Sequence, residues 1–224
     1  MQLFIAEFEK KWDNIIVNNS EILVQLRKVL RMKIWDNIFV QHENIRYELQ
    51  IYDWDQNTLY GHILGMVRCE TLFSNRWLAI AMPNKREKVE LIVQKLTEIG
   101  IKNIYFWPSE RSIIRVWNEK KESRINCIAK EALEQSWWWH LPNISFEKDI
   151  SKIIDWKDIV VFDKTDEKNE NYVFQDNTIW IIWPEWWLTA GDYQKFGNNI
   201  KKISLWDTVL RTETASILAW RILK

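Results

Sequence analysis

The 224-residue sequence predicts a two-part fold, a small β-barrel over residues 1–73 followed by an α/β domain with a largely parallel sheet over residues 74–224. Two observations carry this reading. Short strand-like segments recur at close spacing in the first part, as in small barrels. From about residue 74 strand-like and helix-like patterns alternate, as in layered α/β folds. A composition that is 47% apolar is ample for a packed core.

In the first part, Asn14–Val17, Asn37–Gln41, Ile45–Tyr52 and Thr58–Arg68 read as strands. A helix is expected over Ser20–Leu30, because Ile22, Leu23, Leu26, Val29 and Leu30 recur at helical spacing behind Ser20 as N-cap and Glu21 in the first turn. Its other face holds Arg27 and Lys28, with Arg31 and Lys33 just beyond. These four cations form either a solvated face or a patch for RNA phosphates.

The boundary falls near Phe73–Arg76. Strand Leu78–Met82 leads through Pro83 and Asn84 into helix Glu87–Ile99, which Gly100 terminates. Strand 104–106, helix 118–135, strands 143–146, 159–162 and 178–182, helix 189–196, strand 200–205 and helix 212–223 complete the pattern.

Charge and thiol content narrow the classes. The 31 basic residues balance 31 acidic ones, so attraction to nucleic acid must come from a local patch. Cys69 and Cys127 are isolated and read as buried thiols in a reducing compartment. His42, His62 and His140 are scattered, so no metal site is expected. An acid at Glu7 interrupts any signal-peptide core, and no apolar run approaches membrane-spanning length. A cytoplasmic protein without membrane contact is the expectation.

The chain carries 16 Trp but only 5 Gly. Each count is abnormal, yet taken together they come close to ordinary glycine usage of about 7%. Several Trp also stand in turn contexts that suit glycine: Ile34-Trp35-Asp36-Asn37, Asp53-Trp54-Asp55-Gln56 and Leu205-Trp206-Asp207. Many of these Trp are therefore read as standing for glycine, in a gene whose lineage reads UGA as glycine. The alternative is a chain truly rich in Trp, stacking its indoles on bases or sugars. Context alone does not sort Trp77, Trp107, Trp117, Trp156, Trp180 or Trp220.

Two strand–turn–helix segments are placed where α/β sheets bind ligands, beyond the carboxyl ends of strands. The first, Ile181 to Thr189, becomes I-I-G-P-E-G-G-L-T with glycine at Trp183, Trp186 and Trp187. Glycines there let main-chain amides approach a ligand, while Pro184 fixes the turn. Alone, such a loop is more often a plain turn than a site. The second, Ser204 to Ala215, reads S-L-G-D-T-V-L-R-T-E-T-A with glycine at Trp206. Helix capping explains Thr212 and Glu213 but leaves Leu210 and Arg211 unexplained.

This pair of motifs resembles the signature of the 16S ribosomal RNA uracil-N3 methyltransferase family, in the knotted SPOUT class. Other segments agree in order: Val29-Leu30-Arg31-Met32-Lys33 before Trp35-Asp36, Gln94-Lys95-Leu96-Thr97-Glu98-Ile99-Gly100, Ser109-Glu110-Arg111-Ser112, and Glu134-Gln135-Ser136-Trp137. The resemblance spans nearly the whole chain, and each family glycine among its departures falls on a Trp.

The resemblance implies a PUA-like RNA-binding barrel before a trefoil-knotted domain that binds S-adenosyl-L-methionine and dimerises through its knot. It implies cofactor-binding positions at Phe162, at Ile182, Trp183, Pro184, Glu185, Trp186 and Trp187, and at Leu205, Trp206, Val209 and Leu210. Arg211 and Glu213 would border the methyl acceptor, with Glu134 as a second carboxylate candidate for proton removal. Glu98, Arg111, Gln135 and Ser136, with the cations Arg27, Lys28, Arg31 and Lys33, would face RNA. The implied reaction methylates uridine N3 in 16S ribosomal RNA of the small subunit. The rivals are a related knotted enzyme acting on transfer RNA or another ribosomal position, and a non-catalytic RNA- or sugar-binding module. The codons for Trp183, Trp186 and Trp187 decide the glycine reading: UGA is expected, and UGG at all three contradicts it.

Overall fold

The computed structural model describes residues 2–69, 77–155, 157–163, 177–205 and 208–222. The expected boundary at Phe73–Arg76, Trp156, the cofactor position Trp206, and Leu223 lie outside the described residues. Two compact units form, Met1–Leu72 with Glu134–His140, and Phe73–Leu133 with Leu141–Lys224.

The first unit is a six-stranded, barrel-like sheet. Its strands are β1 (Leu3–Ile5), β2 (Glu9–Lys11), β3 (Asn14–Asn18), β4 (Asn37–His42), β5 (Ile45–Trp54) and β6 (Thr58–Arg68), in the order β1-β4-β5-β6-β3-β2. Every pair is antiparallel except β1 with β4. Register shifts at Glu48/Leu49 and Ile51/Asp53 bend the long β5–β6 ribbon. Helix α1 (Ser20–Val24) runs on as a π-helical turn, Gln25–Val29, and packs Ile22, Leu23 and Leu26 into the core.

Several expectations for this unit need correction. Asn19, not Ser20, is the N-cap, its Oδ1 accepting from the amides of Glu21 and Ile22 at 3.0 and 3.2 Å. Asn caps as well as Ser does. Trp54 ends β5 rather than occupying a loop, and the Arg27 guanidinium lies 5.2 Å from its ring centroid. Strands β1 and β2 were not expected: three residues are too few to show alternation, and β2 is exposed throughout.

The second unit has an all-parallel sheet. Its strands are β7 (Trp77–Ala81), β8 (Asn103–Trp107), β9 (Asn143–Phe146), β10 (Asp158–Phe162), β11 (Thr178–Ile182) and β12 (Ile200–Ile203), in the order β12-β10-β11-β7-β8-β9. All five residues of β11 are buried, as a central strand covered on both faces requires. Helix α2 (Arg86–Glu98) buries Val89, Ile92, Val93, Leu96 and Thr97 as one stripe, and Gly100 follows it at φ 86°. Helix α6 (Thr212–Ile222) presents the small buried residues Ala215, Ser216 and Ala219 and packs against α2.

The other helices are α3 (Glu119–Ser136), α4 (Ser151–Ile154) and α5 (Ala190–Phe196). Helix α4, a single turn, was not expected from the sequence. Cys127 is exposed on α3 and Cys69 half-buried, so neither is the buried thiol expected. The reason for Cys127 is its place on α3, outside the buried stripe of Ile125, Ala129, Ala132 and Leu133. Among the described residues, no helix is long and apolar enough to cross a membrane.

Backbone conformation sorts the tryptophans. Among the described residues six non-glycine positions have positive φ, and four of them are Trp: Trp12 (55°), Trp35 (80°), Trp137 (56°) and Trp187 (61°). A side chain in this left-handed region costs about 1–2 kcal/mol, and bulky residues rarely enter it. Trp12 and Trp35 recover nothing by packing, at 93% and 68% exposed. Trp180, by contrast, is 1% exposed and lies 5.0 Å from the Phe162 ring. Trp12→Gly and Trp35→Gly should each stabilise the fold by about 1 kcal/mol in chemical denaturation. Trp180→Gly should cost at least about 3 kcal/mol through the cavity it leaves.

Candidate functional site

In the second unit the parallel sheet sends the ends of β7, β10, β11 and β12 to one edge, because every strand runs the same way. Strand β11 lies between β7 and β10 and emits the first motif loop there. The loop turns tightly, the Trp187 amide donating to the Pro184 carbonyl at 3.2 Å. Its Trp183 carbonyl accepts from the Thr212 hydroxyl at 3.1 Å, which joins the first motif to the second. Thr212 is buried, and its own carbonyl accepts from Ser216 Oγ at 2.8 Å.

A charged cluster makes a second link. Glu185 Oε1 accepts from the Asn84 amide at 3.3 Å and from Lys88 Nζ at 2.8 Å. The same Nζ lies 3.5 Å from Glu213 Oε2. Burial works against the Lys88 ammonium, but the two carboxylates outweigh it and hold its pKa above the ordinary value. Neither Asn84 nor Lys88 was singled out from the sequence, because a lysine near a helix start carries no pattern of its own.

The Ser109–Ser112 segment docks against the same loop. Arg111 donates to the Trp186 carbonyl at 2.9 Å, and Ser112 Oγ donates to the Met82 carbonyl at 3.3 Å. The Glu110 amide donates to Asp192 Oδ1 at 2.9 Å. Asp192 is fully buried and also closes a capping box with Thr189 at the start of α5. The spacing Thr189-Ala190-Gly191-Asp192 could have revealed that box in the sequence.

The proposed cofactor positions fall as follows. Phe162 and Ile182 are buried last residues of β10 and β11. Beyond Phe162, Asp163 accepts from the Tyr193 hydroxyl and pairs with Lys202 at 3.2 Å. Burial, then Asp163, pushes the Tyr193 pKa up. Leu205 is buried, Val209 exposed and Leu210 half-buried. The Trp183 and Trp187 indoles stack at 5.6 Å and join the core, while Trp186 is 57% exposed.

The remaining site residues divide between the units. Arg211 is exposed at the mouth of α6, one residue before Thr212. Glu98 is paired with Lys95 at 2.9 Å, ten residues after Lys88 on α2 and so about 15 Å along its axis. Glu134, Gln135 and Ser136 belong to the first unit, where Glu134 is buried and accepts from the Ile5 amide at 2.9 Å. There the Arg46 guanidinium donates to the carbonyls of Trp137 and Trp138 at 3.1 and 3.0 Å. Arg27, Lys28, Arg31 and Lys33 are all exposed.

Residues 73–224 match the family model of the RNA methyltransferase domain. The chain belongs to this family. Ribosomal RNA small subunit methyltransferase E of Bacillus subtilis is 27% identical over 161 residues, which cover 64% of this chain and 62% of that relative. Among solved structures, ribosomal RNA small subunit methyltransferase E from Neisseria gonorrhoeae, bound to S-adenosyl methionine, superposes at a TM-score of 0.81 with 20% identity, covering 100% of this chain and 96% of that one. A methyltransferase structure from Legionella pneumophila in complex with the cofactor SAM superposes at 0.83, also 20% identical, over 99% of this chain and 96% of its own. At this identity the likeness shows the fold, and it extends over both units of this RNA methyltransferase family member.

Asp192→Ala removes the acceptor for the Glu110 amide and the capping box together. A loss of about 2–3 kcal/mol in denaturation is expected, and unchanged stability would contradict the docking role given to Asp192.

Proposed function

We propose that the chain is an S-adenosylmethionine-dependent methyltransferase that methylates N3 of a uridine in 16S ribosomal RNA, working as a dimer through a knotted second domain. The supporting observation is the joining of the two motif loops at one sheet edge by the Thr212–Trp183 hydrogen bond and the Lys88 cluster. The barrel would carry RNA through the exposed Arg27, Lys28, Arg31 and Lys33, and the target base must leave its stack to expose N3.

The loop fits a methyl donor in its main chain but not in its indoles. The stacked Trp183 and Trp187 fill volume at the strand end that glycine would leave free, and Trp187 has the left-handed backbone that glycine favours. We therefore read Trp183, Trp186 and Trp187 as glycine in the active protein. Main-chain groups of 182–187 and 205–210 would then hold the donor, whose sulfonium supplies an electrophilic methyl.

Uracil N3 is nucleophilic only after losing its proton. The exposed Arg211 is free to stabilise charge developing on the base carbonyls. Glu213 Oε2 is buried and, beyond its ion pair with Lys88, has no hydrogen-bond donor among the described residues, so it is open to accept the N3 proton. Glu134 is instead engaged by the Ile5 amide, which favours Glu213 for this step.

Labelled methyl transfer to small subunits or 16S RNA, followed by nuclease digestion and mass spectrometry, tests the assignment. N3-methyluridine from 16S RNA is expected, and label confined to transfer RNA would move the chain to another substrate. Arg211→Ala should lower transfer about 100-fold or more while donor affinity stays within about threefold. A fully active Arg211→Ala enzyme would refute the role.

A further inference from the structure

We propose that Lys88 is a positioning residue that locks the two motif loops together by pairing at once with Glu185 of the first and Glu213 of the second. The inference rests on the methyltransferase reading and adds a residue that neither motif contains. The three side chains come from three separate elements: the first turn of α2, the loop after β11, and the first turn of α6.

Their surroundings distinguish this cluster from ordinary surface pairing. Lys88, Glu185 and Glu213 are 22%, 16% and 14% exposed, whereas Arg86 and Arg124, which pair with Glu90 nearby on α2, are 41% and 57% exposed. Exposed pairs hold geometry weakly because water competes for both partners. A half-buried ammonium between two less exposed carboxylates fixes all three, since releasing either acid leaves a charge with little solvent. Lysine has three donors on one charged nitrogen, enough to serve both acceptors.

The arrangement also sets direction. Glu185 Oε1 is held from two sides, by Lys88 Nζ at 2.8 Å and by the Asn84 amide at 3.3 Å, so the first loop is fastened to the start of α2. Among the described residues Glu213 is held by Lys88 alone, at 3.5 Å, which leaves its buried Oε2 able to accept a further hydrogen bond. Asn84 Oδ1, next to the same cluster, is a second buried acceptor without a donor among the described residues. Lys88 would thus hold the Glu213 carboxylate in place as a positioning residue.

The test compares Lys88→Met, Lys88→Arg, Glu213→Gln and the Lys88→Met/Glu213→Gln double variant of the full chain carrying Trp183→Gly, Trp186→Gly and Trp187→Gly, reading donor affinity, kcat and KM for 16S RNA. Lys88→Met should lower kcat about 30- to 100-fold with KM for RNA within about twofold. Lys88→Arg should restore most of the loss, and the double variant should be no worse than the poorer single variant, as for groups acting as one unit. Unchanged kcat in Lys88→Met, or losses that multiply in the double variant, overturns the proposal. If the chain carrying Trp183→Gly, Trp186→Gly and Trp187→Gly, with Lys88 intact, transfers no methyl, the methyltransferase reading fails. The link is then read by chemical denaturation of the same four proteins, where coupling between positions 88 and 213 supports it and strict additivity overturns it.

Discussion

Parallel pairing of β11 between β7 and β10 is the constraint on which the rest of the second unit depends. Parallel strands deliver all their carboxyl ends to one edge, so loops far apart in sequence meet there. The loop after β11 and the segment entering α6 are separated by α5 and β12, yet the Thr212 hydroxyl reaches the Trp183 carbonyl. Without that shared edge the two motifs would be unrelated turns. With it, main chain from one motif is braced by a side chain from the other, and α2 adds a charged tie through Lys88.

The site as proposed would hold its ligand with backbone rather than side chains, which makes the tryptophans informative. A ligand held by amides and carbonyls needs the chain to come close, and each Cβ beyond the minimum keeps it away. Four of the six non-glycine residues in left-handed conformation are Trp, the residue with the most to lose there. They are spread over both units, at a hairpin turn, before β4, after α3 and in the loop after β11. A requirement for indole stacking would select exposed faces, not backbone angles. The pattern instead follows left-handed backbone, which glycine favours, while Trp180 fills real core volume.

Much of this was legible in the sequence because periodicity reports burial. Strands β6, β9 and β11 matched their expected bounds, and α2 lay within one residue of its own, after Pro83 and Asn84 and before the terminating Gly100. Three elements escaped: β1 and β2, at three residues each too short to show alternation, and the single turn α4. The two motif loops were found by residue type, but their joining was not, because contacts across a sheet edge leave no local trace. Lys88 and Asn84 escaped for that reason, and Glu134 gained an unforeseen partner in the Ile5 amide. The Asn19 cap was missed because Asn19 and Ser20 are equally good caps standing side by side.

The claim that the strand-end loops hold a methyl donor through main chain free of side chains is tested most directly by titration calorimetry with S-adenosylmethionine. The chain carrying Trp183→Gly, Trp186→Gly and Trp187→Gly is compared with the chain bearing tryptophan at all three. Removing the indoles that occupy the strand end should tighten binding by about 10- to 100-fold. Equal affinity in the two proteins, or no binding by either, would contradict the account.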